Sequence, residues 1–97
     1  MVEGGVRELK VPADVLYWLL HEALDSASLR LLAKIDEEGE VTVSSASKLF
    51  RDSQISAANK LIHLLYRGLV ETVQREGRVY WRLTELGRKV LAIYRSL

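Results

Sequence analysis

Hydrophobic and polar residues recur with a helical period in five stretches of the chain and with the period of a strand in one hairpin. The helical stretches are residues 12–24, from Ser26 or Ser28 to about Glu38, 43–51, 53–67 and 84–97. Residues 41–43 predict a short strand, and two β-rich runs meet at residues 75–78. The pattern therefore predicts one domain over residues 1–97, mostly α with a small β wing, in the order α-α-β-α-α-β-β-α.

The stretch 53–67 is the most informative because its polar side chains fall on one side. Ser53 is a good N-cap, and Gly68 suits the position just past a helix end. The predicted inward side consists of Ala57, Ala58, Leu61, Ile62, Leu64 and Leu65. The predicted outward arc consists of Ser56, Asn59, Lys60, His63 and Arg67, with Tyr66 at its edge. That arc contains no carboxylate, a composition typical of a nucleic-acid-binding face, although an ordinary amphipathic helix could also have it.

A shorter helix precedes this one at the spacing of a helix-turn-helix. Ser44 is its predicted cap, and Ala46, Leu49 and Phe50 are its predicted buried positions. A break at Asp52 separates the two helices. The pair therefore predicts a DNA-binding unit in which the second helix is the one that reads the duplex.

The hairpin that follows has a two-residue Glu76-Gly77 loop. Such a loop pairs Arg75 with Arg78 and places two arginines at the tip. In that register Trp81 and Leu83 share a side with Val70. We therefore expect Trp81 and Leu83 in the core.

Residues 26–97 resemble a winged-helix DNA-binding domain, and are most similar to small prokaryotic transcription regulators of the MarR and ArsR types. The resemblance rests on the helix pair, on Gly68-Leu69-Val70 before the wing and on Leu83-Thr84-Glu85-Leu86-Gly87 after it. It implies that the helix 53–67 enters the major groove and that the wing 75–78 lies on the backbone or in the minor groove. The predicted DNA-binding residues are Ser53, Gln54, Ser56, Asn59, Lys60, His63, Arg67, Arg75 and Arg78.

The distribution of charge agrees with this prediction. Residues 1–42 carry four basic and nine acidic side chains, whereas residues 43–82 carry seven basic and three acidic ones. Positive charge is thus concentrated in the segment that the helical pattern assigns to DNA. Because such binding depends on neutralised phosphates, we expect it to weaken as the salt concentration rises.

The two terminal helices predict a homodimer, as is common for regulators that read two half-sites. In helix 12–24, Trp18 falls among polar residues with Tyr17 to one side, and in helix 84–97 the apolar stripe widens at Leu91 and Tyr94. A subunit interface at Tyr17, Trp18, Leu91 and Tyr94 would cover this surface. Alternatively, residues 2–10, which look disordered, or another helix of the same chain could fold over Trp18.

The sequence offers no evidence for catalysis, for a metal site or for a cofactor. It lacks cysteine, and its histidines, His21 and His63, lie on different predicted helices without a second close ligand. Without an apolar run of membrane-spanning length or a signal-peptide pattern, a soluble cytoplasmic protein is expected.

The leading hypothesis is a sequence-specific regulator that binds double-stranded DNA. The alternatives are a winged helix that binds protein and a non-specific chromatin or viral DNA binder. The operator sequence, the direction of regulation and the existence of a small-molecule effector stay open.

Overall fold

The computed structural model describes residues 24–51 and 53–96. These residues form four helices and one antiparallel hairpin: α1 (Ser26–Glu38), α2 (Val43–Phe50), α3 (Gln54–Tyr66), β1 (Val70–Arg75), β2 (Arg78–Leu83) and α4 (Glu85–Ser96). This architecture confirms the predicted winged-helix fold class. Several predicted features lie outside the described residues. They are the helix 12–24 except for Leu24, with its residues Tyr17 and Trp18, the break at Asp52 and the C-terminal Leu97.

Helix α1 begins at an aspartate cap, and the prediction that Ser26 or Ser28 caps it is wrong. The carboxylate of Asp25 accepts a hydrogen bond of 2.7 Å from the backbone N–H of Ser28. The helix ends as predicted at Gly39, whose φ of +85° belongs to the left-handed region. Leu31, Leu32 and Ile35 are fully buried, as expected from their spacing.

Helix α2 is capped by Thr42, so the predictions of a Ser44 cap and of a strand over residues 41–43 are both wrong in detail. Thr42 and Ser45 form a reciprocal capping box, in which each side chain accepts a hydrogen bond from the other residue's backbone N–H. Because this box starts the helix at Val43, only Val41 remains to pair with β2. It exchanges two backbone hydrogen bonds with Trp81, of 2.9 and 2.8 Å.

Within α2, Ala46 is buried as predicted, and Leu49 and Phe50 are partly buried against the core. Ser47 is also buried, with 6% of its surface exposed. Its hydroxyl donates to the carbonyl of Ser44 at 2.7 Å, which satisfies the polar group inside the helix.

Local sequence determines α3 and the hairpin. The Ser53 hydroxyl accepts from the Ser56 N–H at 3.1 Å, and Gly68 adopts a φ of +77° just beyond the helix. The hairpin has the predicted register, with Arg75 opposite Arg78 and Thr72 opposite Trp81. Glu76 and Gly77 both have positive φ, as the tight two-residue loop requires.

The wing, α3 and α4 meet at one corner. The Thr84 hydroxyl donates to the Gly68 carbonyl at 2.6 Å and accepts from the Gly87 N–H at 3.0 Å, so Thr84 caps α4 as predicted. At Gly87, α4 passes so close to the wing that an added Cβ would lie 2.0 Å from the carbonyl oxygen of Leu69. Only glycine permits this approach.

The core lies beneath this corner, between the helices and the base of the hairpin. Trp81 and Leu83 are buried, which confirms their predicted place. In α4, Val90 and Leu91 are buried, while Ile93 and Tyr94 pack against the core from its edge. The Tyr94 hydroxyl also accepts a hydrogen bond of 3.2 Å from the N–H of Leu24, which links the two ends of the described chain.

The close approach at Gly87 predicts that Gly87→Ala is strongly destabilising, although alanine is the better helix former. We expect the free energy of unfolding to fall by roughly 3 kcal/mol, at the upper end for overpacking, because a backbone carbonyl cannot rotate away. Urea denaturation followed by circular dichroism measures this. Gly39→Ala is the matched control: its Cβ would meet nothing within 4 Å, and only the left-handed backbone, at about 1–2 kcal/mol, would oppose it. A Gly87→Ala protein as stable as the unchanged chain would contradict the packing described for this corner.

Candidate nucleic-acid interface

The outward direction of α3 differs from the one predicted. Its buried residues are Ala57, Leu61 and Leu64, and successive residues are 100° apart. The opposite side of the helix carries Ile55, Asn59, Ile62 and Tyr66, which are all exposed. We call these four residues the outer face of α3.

The predicted polar arc lies at the edge of this outer face. Asn59 and His63 are exposed, whereas Ser56, Lys60 and Arg67 are half-buried. Gln54 and Ser53 are exposed at the start of the helix. The structure therefore brings the predicted residues of α3 together on one side, but part of the arc turns towards α1 instead of away from the protein.

A cleft of about 250 Å³ separates this cationic edge of α3 from the first turn of α1. Its lining residues are Asp25, Ser28, Lys60, His63 and Arg67. Hydrogen bonds from Ser28 hold the pKa of Asp25 below its usual value, and the positive charges of Arg67 and Lys60 act in the same direction. The cap of α1 thus faces the cations of α3.

Lys60 is held in place by its neighbours. Its ammonium group donates to the Ser56 hydroxyl at 3.0 Å and lies 5.4 Å from the centre of the Phe50 ring. The guanidinium of Arg30 lies 5.2 Å from the same ring. Phe50, the last residue of α2, therefore orients cations from both α1 and α3 by cation–π attraction.

The outer face is more apolar than predicted. Within it, Ile55 is 77%, Tyr66 84% and Ile62 37% exposed, and Leu65 beside it is 36% exposed. The assignment of Ile62 and Leu65 to the inward side is wrong, because the core covers only a narrow stripe of α3. The exposure of Ile55 is a feature that the sequence analysis missed.

The two arginines of the wing tip differ in their surroundings. Arg75 forms an ion pair with Glu40, which raises the pKa of the guanidinium, and also lies 4.4 Å from the centre of the Tyr80 ring. Arg78 is exposed and forms no ion pair with any residue of 24–51 or 53–96. Arg75 therefore fastens the wing to the segment between α1 and α2, and Arg78 is the tip cation that faces outward.

Further down the wing, Arg82 pairs with its cross-strand neighbour Glu71 at 2.6 Å. The pair lies on the side of the ribbon away from Trp81. It stabilises the hairpin modestly, since both side chains are about half exposed.

Solved structures with the same fold were found, although no protein-family model and no curated protein matches the chain. A MarR family transcriptional regulator from Silicibacter pomeroyi DSS aligns with 26% identity and a TM-score of 0.72, over 86% of this chain and 58% of that one. Wild-type MarR from E. coli in its apo form aligns with 19% identity and a TM-score of 0.73, over 86% of this chain and 64% of that one. A mutant MarR from E. coli complexed with operator DNA aligns with 19% identity and a TM-score of 0.73, over 86% of this chain and 61% of that one.

The chain has the MarR-type winged-helix fold. It spans about three fifths of the length of the solved structures that it matches. The similarity thus concerns a winged-helix unit within longer proteins.

Within residues 24–51 and 53–96, no three histidine, aspartate or glutamate side chains lie close enough together to hold a metal ion. None of the described helices has the length and apolar character needed to cross a membrane.

Proposed function

We propose that this MarR-type winged helix is a transcription regulator that binds double-stranded DNA in a sequence-specific manner. In this proposal α3 enters the major groove and the wing tip contacts the backbone or the minor groove. The observation that carries it is that the outer face of α3 and Arg78 at the wing tip are both exposed, with no carboxylate on α2 or α3. The fold similarity to a MarR that was solved with operator DNA supports the same assignment.

The predicted residues take different roles in this proposal. Gln54 and Asn59, both exposed, suit base edges, since a carboxamide can pair with adenine N6 and N7. Ser53, His63 and Arg78 are exposed and suit phosphates. The half-buried Ser56, Lys60 and Arg67 add positive charge or polarity at the groove edge, and Arg75 holds the wing against Glu40.

A winged helix that binds protein is the second candidate, and one observation favours it. The exposed Ile55 and Tyr66 at the two ends of the outer face could anchor a protein partner. A duplex titration separates the two candidates, because a protein-binding domain with this surface would select no DNA sequence.

The proposal includes a homodimer that spaces two α3 helices for two half-sites. Leu91 is only 4% exposed within its own chain, so among the described residues the predicted interface rests on Tyr94. Tyr94 lines an apolar recess of about 250 Å³ with Leu29 and Ala33 between α1 and α4. Tyr17 and Trp18 are assigned to the interface from sequence alone.

The wing assignment predicts that Arg78→Gln weakens DNA binding and lowers its dependence on salt. Loss of one phosphate contact in each subunit would reduce the slope of log affinity against log salt by about 1 per subunit. Fluorescence anisotropy with a duplex enriched from a randomised library measures both quantities. Lys89→Gln is the control, since it removes an exposed cation from α4, where Lys89 pairs with Glu85.

An unchanged salt slope for Arg78→Gln would contradict the wing contact. Failure of the library to enrich any sequence would contradict sequence-specific DNA binding, and failure to bind unselected duplexes as well would leave the protein-binding candidate.

The dimer assignment predicts a mass of twice one chain in light scattering at micromolar concentration. Trp18→Ala should weaken the dimer by roughly 2–4 kcal/mol, the order expected for loss of a buried aromatic side chain. Tyr66→Ala provides the control, because it removes an exposed aromatic from α3 and should leave the mass unchanged. A monomeric wild-type chain would contradict the dimer.

A further inference from the structure

Ile55 is the feature of the outer face that neither core packing nor phosphate binding explains. It lies in the first turn of α3, next to the Ser53 cap, and 77% of its surface is exposed. An isoleucine that belonged to the core would be buried, and a residue that binds phosphate would be a cation or a hydrogen-bond donor. The side chain is therefore placed to meet an apolar group outside the protein.

Asn59 is the nearest polar neighbour of Ile55 on the outer face. They are four positions apart, which in an α-helix means about one turn, about 6 Å along the axis and about 40° around it. Asn59 is exposed, and its carboxamide offers one acceptor and two donors. The outer face thus presents a methyl-rich group and a hydrogen-bonding group within one turn.

The major groove of DNA contains one apolar group that matches this arrangement, the C5-methyl of thymine. It also contains an adenine edge, N6 and N7, which an asparagine carboxamide pairs with in bidentate fashion. Successive bases along a DNA strand are about 3.4 Å apart, so two side chains one turn apart on α3 can contact bases that are one or two base pairs apart.

We propose that α3 reads a thymine by contact of Ile55 with its C5-methyl group, while Asn59 pairs with an adenine one or two base pairs away. The inference rests on the proposed DNA-binding function and adds the base preference. It makes Ile55 a specificity-determining residue and predicts a binding site that contains A·T pairs under the first half of α3.

Two observations favour DNA over a protein groove as the occupant of this face. Neither α2 nor α3 carries a carboxylate, and the exposed Arg78 and the half-buried Lys60 supply positive charge that matches a phosphate backbone. In addition, Asn59 lies between Ile55 and Ile62, and an apolar groove would bury its carboxamide without partners at a cost in free energy. A base edge supplies those partners.

The test uses a duplex enriched by the full-length chain from a randomised library. Each thymine of the site is replaced in turn by deoxyuridine, which keeps the base pair and removes the methyl group. We expect one thymine in each half-site whose replacement weakens binding about fourfold, the effect of leaving one methyl group unburied. For Ile55→Ala the same replacement should have no effect, because the partner of the methyl group is gone.

Ile62→Ala is the matched control, since it makes the same chemical change about two turns further along α3 and should keep the deoxyuridine penalty at that thymine. Thermal melting of each variant confirms that it is folded. Specific binding with no deoxyuridine effect, or with an effect that Ile55→Ala retains, would overturn the role of Ile55 and leave the DNA-binding function standing. Enrichment of no duplex sequence would overturn both the role of Ile55 and the sequence-specific DNA-binding function, and absence of any duplex binding would favour a protein partner for this face.

Discussion

The contact between Gly87 and the Leu69 carbonyl is the constraint on which the geometry of this domain depends. It lets α4 pack against the segment between α3 and β1, while Thr84 joins the Gly68 carbonyl to the start of α4. The N–H of Leu69 donates back to Leu64 of α3, and its carbonyl accepts from Thr84. The end of α3, the base of the wing and the start of α4 are thus held together by hydrogen bonds and by this close backbone approach.

Ion pairs within the domain determine which cationic side chains at the surface are available to bind phosphate. Residues 43–82 are rich in cations, but Glu40 holds Arg75 and Glu71 holds Arg82. Glu40 lies between α1 and α2, and Glu71 lies in β1, so both carboxylates come from outside the wing tip. A count of charges along the chain overestimates the charge that can meet phosphate, because it ignores such pairs.

The parts of the fold that depend on local signals could be predicted from the sequence. The cap at Ser53, the turn at Gly68 and the register of the hairpin follow from residues a few positions apart, and the structure confirms all three. The outer face of α3 could not be predicted in the same way. Which flank of a helix the core covers depends on packing with distant elements, so the sequence pattern places Ile62 and Leu65 inward and does not indicate the exposure of Ile55. The predicted N-caps of α1 and α2 are wrong for a simpler reason. Several residues that can cap a helix lie close together in the sequence, and only one of them has the required backbone conformation.

The central claim, that the outer face of α3 and the wing tip form one DNA-binding surface, is tested most directly by nuclear magnetic resonance. Backbone amide signals of the ¹⁵N-labelled chain would be followed during titration with a duplex enriched from a randomised library. The account predicts that the largest shifts occur at Gln54, Ile55 and Asn59 and at the wing tip around Arg78, with small shifts along the exposed side of α4. Shifts confined to α1 and α4, with α3 and the wing unchanged, would contradict it.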